Sequence, residues 1–165
     1  RYLTTETLPL IRNCSPRLNV RRGAFVTLNE HDRLRGCIGH MSEDMPLCRV
    51  VGAMALQAAL NDRRFSPVTA GEIDDLEIEI SVLTPYHPIS GPNEIVIGRD
   101  GVVLRKGGRS AVYLPQVAVE QGWNVEETLD HLCRKAGLPE GSWREGADLF
   151  TFRAEVFSEA DFPGK

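Results

Sequence analysis

Along the 165-residue chain the apolar positions switch between a two-residue repeat and a helical one, and each switch predicts an element. The plainest strand is "DLEIEISVL", where Leu76, Ile78, Ile80 and Val82 alternate with Glu77, Glu79 and Ser81. Such a segment buries one face and leaves the other polar. "LFTFRAEVF" repeats the pattern with Phe150, Phe152, Ala154 and Val156 and reads as a closing strand. "AFVTLN" (24–29) and "RLRGCIG" (33–39) flank the polar "EHD", the signature of a β-hairpin. Beyond the breaking segment "TPYHPISGP", the stretches "EIVIG", "VVLRKG" and "SAVYL" read as a small meander turning at Arg99-Asp100-Gly101 and Lys106-Gly107-Gly108.

Helical spacing takes over at Leu47, Val50, Val51, Met54, Ala55 and Ala58 and runs to Asn61, with Pro46 suited to the first turn. Gly52, Ala53 and Ala59 would let another element approach closely, so this helix is expected at the centre. Thr69 and Glu72 stand at capping-box spacing, as do Asn124 and Glu127. From Asn124 a helix is predicted over Leu129, Leu132, Cys133 and Ala136, stopping at Gly137 before Pro139. Residues 1–23 are poorly periodic; "SPRLN" reads as a loop and the opening as the frayed end of a helix. Strands arrive in runs, which predicts an α+β fold, mainly antiparallel sheet flanked by helices, in a single domain spanning 1–165.

Charge narrows the function. Nineteen basic and twenty-three acidic residues give a net charge of -4, so no global field draws the protein to nucleic acid or anionic lipid. The longest apolar run, "VVGAMAL", is too short for a membrane span, and "RYLTTETLPL" lacks a signal-peptide layout; a cytoplasmic protein is expected. Cys14, Cys37, Cys48 and Cys133 form no CxxC pair, and reduced thiols are expected. "GRDGVVLRKGG" lacks the strand, GxGxxG, helix order of a phosphate cradle and reads as two hairpin turns, so no nucleotide cofactor is expected.

The candidate chemistry sits in "LRGCIGH". On a regular strand Arg35 and Cys37 share one face about 6.5 Å apart, close enough for a guanidinium to favour a thiolate. Gly36 and Gly39 then mark a bulge or a close approach by a ligand or another element. The plainer alternative is a packed cysteine, with Gly36 admitting the helix that starts near Pro46. Cys37 and His40 make a C-x-x-H pair, yet His31, Cys48, His87 and His131 supply no second pair, so no metal is expected. His31 falls in the turn, and His131 and Cys133 point to different sides of their helix. Glu77 and Glu79 read as a solvated row or as carboxylates facing a cleft. Asp62, Arg63 and Arg64 read as a charged helix end or the rim of an anion pocket.

"GAFVTLNEHDRLRGCIGH", "NDRRFSPVTAGEIDDLEIEISVLTP", "IGRDGVVLRKGGRSAVYLPQVAVEQGW" and "LDHLCRKAGLP" together resemble the AMMECR domain family, over about residues 23–157. Bacterial and archaeal members are called AmmeMemoRadiSam system protein A. The family pattern matches at Leu34 to Gly39, at Asp62, Arg64 and Phe65, and at Lys106, Leu114, Pro115, Gln116 and Val117. His40 is not part of it, and the helix usual before the first strand is weak here. The resemblance implies an α+β protein whose larger antiparallel subdomain and smaller mixed subdomain form a cleft near "LRGCIG". It also implies work beside a Memo-like protein and a radical S-adenosylmethionine protein, without fixing a reaction.

Two functions follow as expectations. In one, Cys37 is a nucleophilic or redox thiol acting on a small molecule, Arg35 supports its charge and Glu79 handles protons. In the other the domain is a non-catalytic binding module, with Gly36, Gly39, Asp62, Arg64 and Lys106 around the ligand or protein partner and Arg35 as a further charge contact. Regulation through nucleic acid ranks last, because the charge balance is acidic.

Overall fold

A computed structural model describes residues 14–162; the expected helix end at the start of the chain lies outside them. The chain forms two compact units, one running up to Leu83 and resuming at Glu155, the other spanning Thr84–Ala154. Each is built on its own four-stranded antiparallel sheet, as the runs of strands predict.

In the first unit β1 (Ala24–Glu30), β2 (Arg33–His40), β3 (Leu76–Leu83) and β8 (Ala154–Ser158) lie in the order β2-β1-β3-β8. His31 and Asp32 make the hairpin turn with φ of 47° and 62°. Both values are positive, as the two-residue turn matching strand twist requires. Helix α1 (Leu47–Leu60) covers one sheet face. The plainer expectation for Gly36 holds: a Cβ there would overlap the Ala58 carbonyl, so only glycine lets strand and helix meet at that point. Val26, Leu28, Ala58 and Val68 form the buried centre, with Ile38, Ile78 and Ile80 packed against it. The alternating residues of "DLEIEISVL" therefore face inward as predicted.

One expectation about this unit is overturned. Cys14 and Cys48 are joined in a disulfide, with Cα atoms 6.2 Å apart, instead of remaining reduced. The pairing is tertiary in origin. Leu47 N–H donates to the Val20 carbonyl at 2.8 Å and Arg21 bridges Pro46, drawing two segments together that no local spacing connects.

In the second unit β4 (His87–Ile89), β7 (Asp148–Phe152), β5 (Gly101–Lys106) and β6 (Arg109–Tyr113) lie in that order. Helix α2 (Pro115–Gln121) precedes α3 (Val125–Lys135). Both capping-box bonds form between Asn124 and Glu127, and Gly137 ends α3 at φ 71°. Leu104, Leu129, Leu132 and Cys133 are wholly buried at its core.

Three sequence expectations shift here. "EIVIG" is no strand but a 3-10 turn at Pro92–Glu94 followed by irregular chain. The "breaking" segment instead supplies β4, an edge strand that accommodates Pro88. "LFTFRAEVF" splits at Arg153 into β7 and β8, which belong to different sheets although the alternation runs through both.

Candidate functional site

Register determines what surrounds Cys37. On β2 it pairs with Thr27 of β1, and Thr27 pairs in turn with Glu79 of β3. The inward neighbours of this row, Val26 and Ile80, pack under α1, so Cys37, Thr27 and Glu79 share the opposite face. The Thr27 hydroxyl donates to the Cys37 sulfur at 3.3 Å. Glu79 stands two strand spacings from Cys37, about 10 Å. Cys37 is half-buried, unlike the wholly buried Cys133.

Arg35 is elsewhere. Leu28 pairs with Gly36 and Asn29 with Leu34, so Arg35 is the extra residue of a β-bulge and the simple alternation that would place it beside Cys37 is broken. Its guanidinium pairs with Glu72 at 2.8 Å and donates to the Ser66 and Pro67 carbonyls at 2.9 and 3.4 Å. Glu72 is the far member of the Thr69 capping box. Hydrogen bonds from Arg35, then from the Thr69 amide and hydroxyl, hold its carboxyl at about 2.

The cation that reaches Cys37 is Arg64. Asp62, only 6% exposed, takes hydrogen bonds from Arg64 Nε at 3.0 Å and Nη2 at 2.7 Å. It also accepts the Arg64 and Cys37 backbone N–H groups at 3.1 and 2.9 Å. Arg64 Nη2 reaches the Cys37 carbonyl at 3.2 Å. Since β2 is an edge strand, the Asp62–Arg64 pair satisfies both backbone groups that Cys37 turns away from β1. Hydrogen bonds from Arg64 hold the Asp62 carboxyl well below the usual carboxylate range, against the cost of burial. Arg64 is held more firmly protonated, chiefly by the hydrogen bonds and charge of Asp62.

The remaining predicted site residues have structural partners. Gly36 admits α1, and the Phe25 ring occupies the space a Cβ on Gly39 would need. Lys106, in the second unit, donates to the Ser142 and Glu145 carbonyls at 2.9 and 2.5 Å. His40 pairs with Asp44 at 2.6 Å, and His131 stacks on Trp123. Cys133 is wholly buried and burial pushes its thiol up. Among the described residues no cluster of three His, Cys, Asp or Glu side chains could hold a metal, and no helix is long and apolar enough to cross a membrane. Thr27 escaped the sequence reading because only register, set by the hairpin turn, brings it to Cys37.

The AMMECR1 family model matches residues 1–157, starting well before the motif resemblance at residue 23. Protein MJ0810 of Methanocaldococcus jannaschii is 44% identical over 156 residues, covering 89% of this chain and 78% of its own length. A protein of Thermococcus onnurineus is 45% identical over 155 residues, covering 87% and 76%. The crystal structure of uncharacterized protein PH0010 from Pyrococcus horikoshii matches with a TM-score of 0.78 at 41% identity, covering 95% of this chain and 83% of that one. With the family pattern met along nearly its whole length, and with the α+β architecture of a solved relative, the chain belongs to the AMMECR1 family.

Proposed function

We propose that the outer face of the first unit's sheet is a thiol site, with Cys37 as nucleophile toward a small molecule. The observation that carries this is the half-buried Cys37, its sulfur receiving the Thr27 hydroxyl and its carbonyl receiving the Arg64 guanidinium that Asp62 fixes. A hydrogen-bond donor and a cation are the groups that favour a thiolate. The thiol proton leaves to solvent or, through water, to Glu79. The sulfur electron pair then forms a bond to an electrophilic carbon, and the leaving group departs with its own bonding pair and a proton. Arg64 takes the supporting role that the spacing assigned to Arg35. Membership of the family supports a further part of this reading, that the chain works with a Memo-like protein and a radical S-adenosylmethionine protein.

The binding-module reading keeps one favourable observation, the Arg64 side chain at 56% exposure. It loses Arg35 and Lys106 as charge contacts, since both donate to carbonyls within their own units. The test is the alkylation rate of Cys37, followed peptide by peptide across pH. Arg64→Gln is expected to slow labelling at neutral pH about fivefold, whereas Arg35→Gln leaves it within about twofold. A Cys37 that resists labelling in the folded protein, or labelling indifferent to Arg64→Gln, refutes the thiol site.

A further inference from the structure

The second unit contains a cavity of about 510 Å³ among the end of β7, the strand β4 and the loop before β5. That size suits a small organic ligand. Ile89 and the exposed Pro88 give it an apolar side, with the buried Phe152 behind them. Phe152 is held by a close approach, because a Cβ on Gly101 would overlap its ring.

The polar side is organised by Asp100, which is 6% exposed. It accepts Arg99 Nε at 2.8 Å, Arg99 Nη2 at 2.7 Å and the Val96 N–H at 2.9 Å. Arg153 Nε stands 3.6 Å from Oδ1, the oxygen that accepts Arg99 Nε, and the Arg153 backbone N–H donates to the Thr84 hydroxyl at 2.8 Å. One buried carboxylate therefore fixes the Arg99 guanidinium and holds that of Arg153 within ion-pair distance at one cavity wall. Their side chains remain 48% and 60% exposed. A guanidinium carries five N–H donors, so Asp100 uses only a minority of those present.

Charge selects the ligand class. Arg99 and Arg153 are offset by Asp100 and by Glu94, also on the lining. A wall so balanced can hold one negative charge through paired N–H donors but compensates a dianion poorly. We propose that this cavity binds a small organic monocarboxylate, its carboxylate on Arg99 and Arg153 and its apolar body against Pro88 and Ile89.

The test is a titration of the whole protein with benzoate at constant ionic strength, read by amide NMR shifts. Saturable shifts at Val96, Gly101 and Thr151 are expected. Arg153→Gln, at an exposed position, should weaken binding about tenfold, as should Arg99→Gln, while the exposed Arg144→Gln changes it less than twofold. An unchanged far-ultraviolet spectrum and melting temperature for Arg153→Gln keep a folding defect apart from lost binding. Absence of saturable shifts at the cavity, or equal weakening by Arg144→Gln, overturns the site. Inorganic phosphate binding more tightly than benzoate overturns the ligand class.

Discussion

Each unit holds a buried aspartate gripped by a nearby arginine through the same two nitrogens, Asp62 by Arg64 and Asp100 by Arg99. The two pairs are put to different ends. At Asp62 the pair closes on the backbone N–H and C=O of one edge-strand residue, Cys37. At Asp100 it fixes the loop at Val96 and draws in a second arginine. A buried ion pair therefore says little about function by itself; the third group it reaches decides what the pair is for.

The largest effect is expected from removing either aspartate. Asp62→Ala strands four donors and should destabilise the protein by about 3 kcal/mol; Asp100→Ala should cost about 2 kcal/mol. Denaturant unfolding gives the magnitudes and hydrogen exchange separates the roles. The Cys37 amide should lose protection in the first variant and the Val96 amide in the second. Loss at both amides in either variant would erase the distinction.

A smaller effect concerns Arg35, which has a carboxylate of its own. Folding lowers the Glu72 carboxyl from its ordinary 4.5 to about 2. The stability from this shift is complete above about pH 4.5 and is lost as pH falls toward 2. Melting temperatures of wild type and Glu72→Gln should therefore differ at pH 6 and converge near pH 2. A gap that stays constant with pH would show that the pairing contributes nothing to the acid response.

The smallest expected change is at Thr27. Thr27→Val keeps the β-branched shape and removes the donor to sulfur, which should slow Cys37 alkylation by about twofold with little change in melting temperature. Faster labelling would mean that the hydroxyl shields the sulfur.

Local pattern revealed much of the first unit. The "EHD" hairpin, the helix from Leu47, the alternating β3 and the Thr69 capping box follow from spacing and side-chain chemistry alone, as does the Asn124 capping box of the second unit. Global decisions were hidden. Alternation continues unbroken through Phe150, Phe152, Ala154 and Val156, so it holds no sign that the chain changes sheets at Arg153. The bulge was hidden for a related reason: a glycine beside an arginine fits a regular ladder as well as an interrupted one. Cys37, Asp62 and Arg64 were legible as candidates, but their meeting through an edge strand's backbone depends on tertiary placement.

The bulge also explains what Arg35 is for. Excising it would leave Leu34 opposite Asn29 and Gly36 opposite Leu28, the partners they already have. The ladder has no use for this residue as a rung. It is a shim in the strand, present for the reach of its side chain to the turn at Ser66 and the cap at Glu72, and the sheet tolerates the surplus length in exchange for that tether.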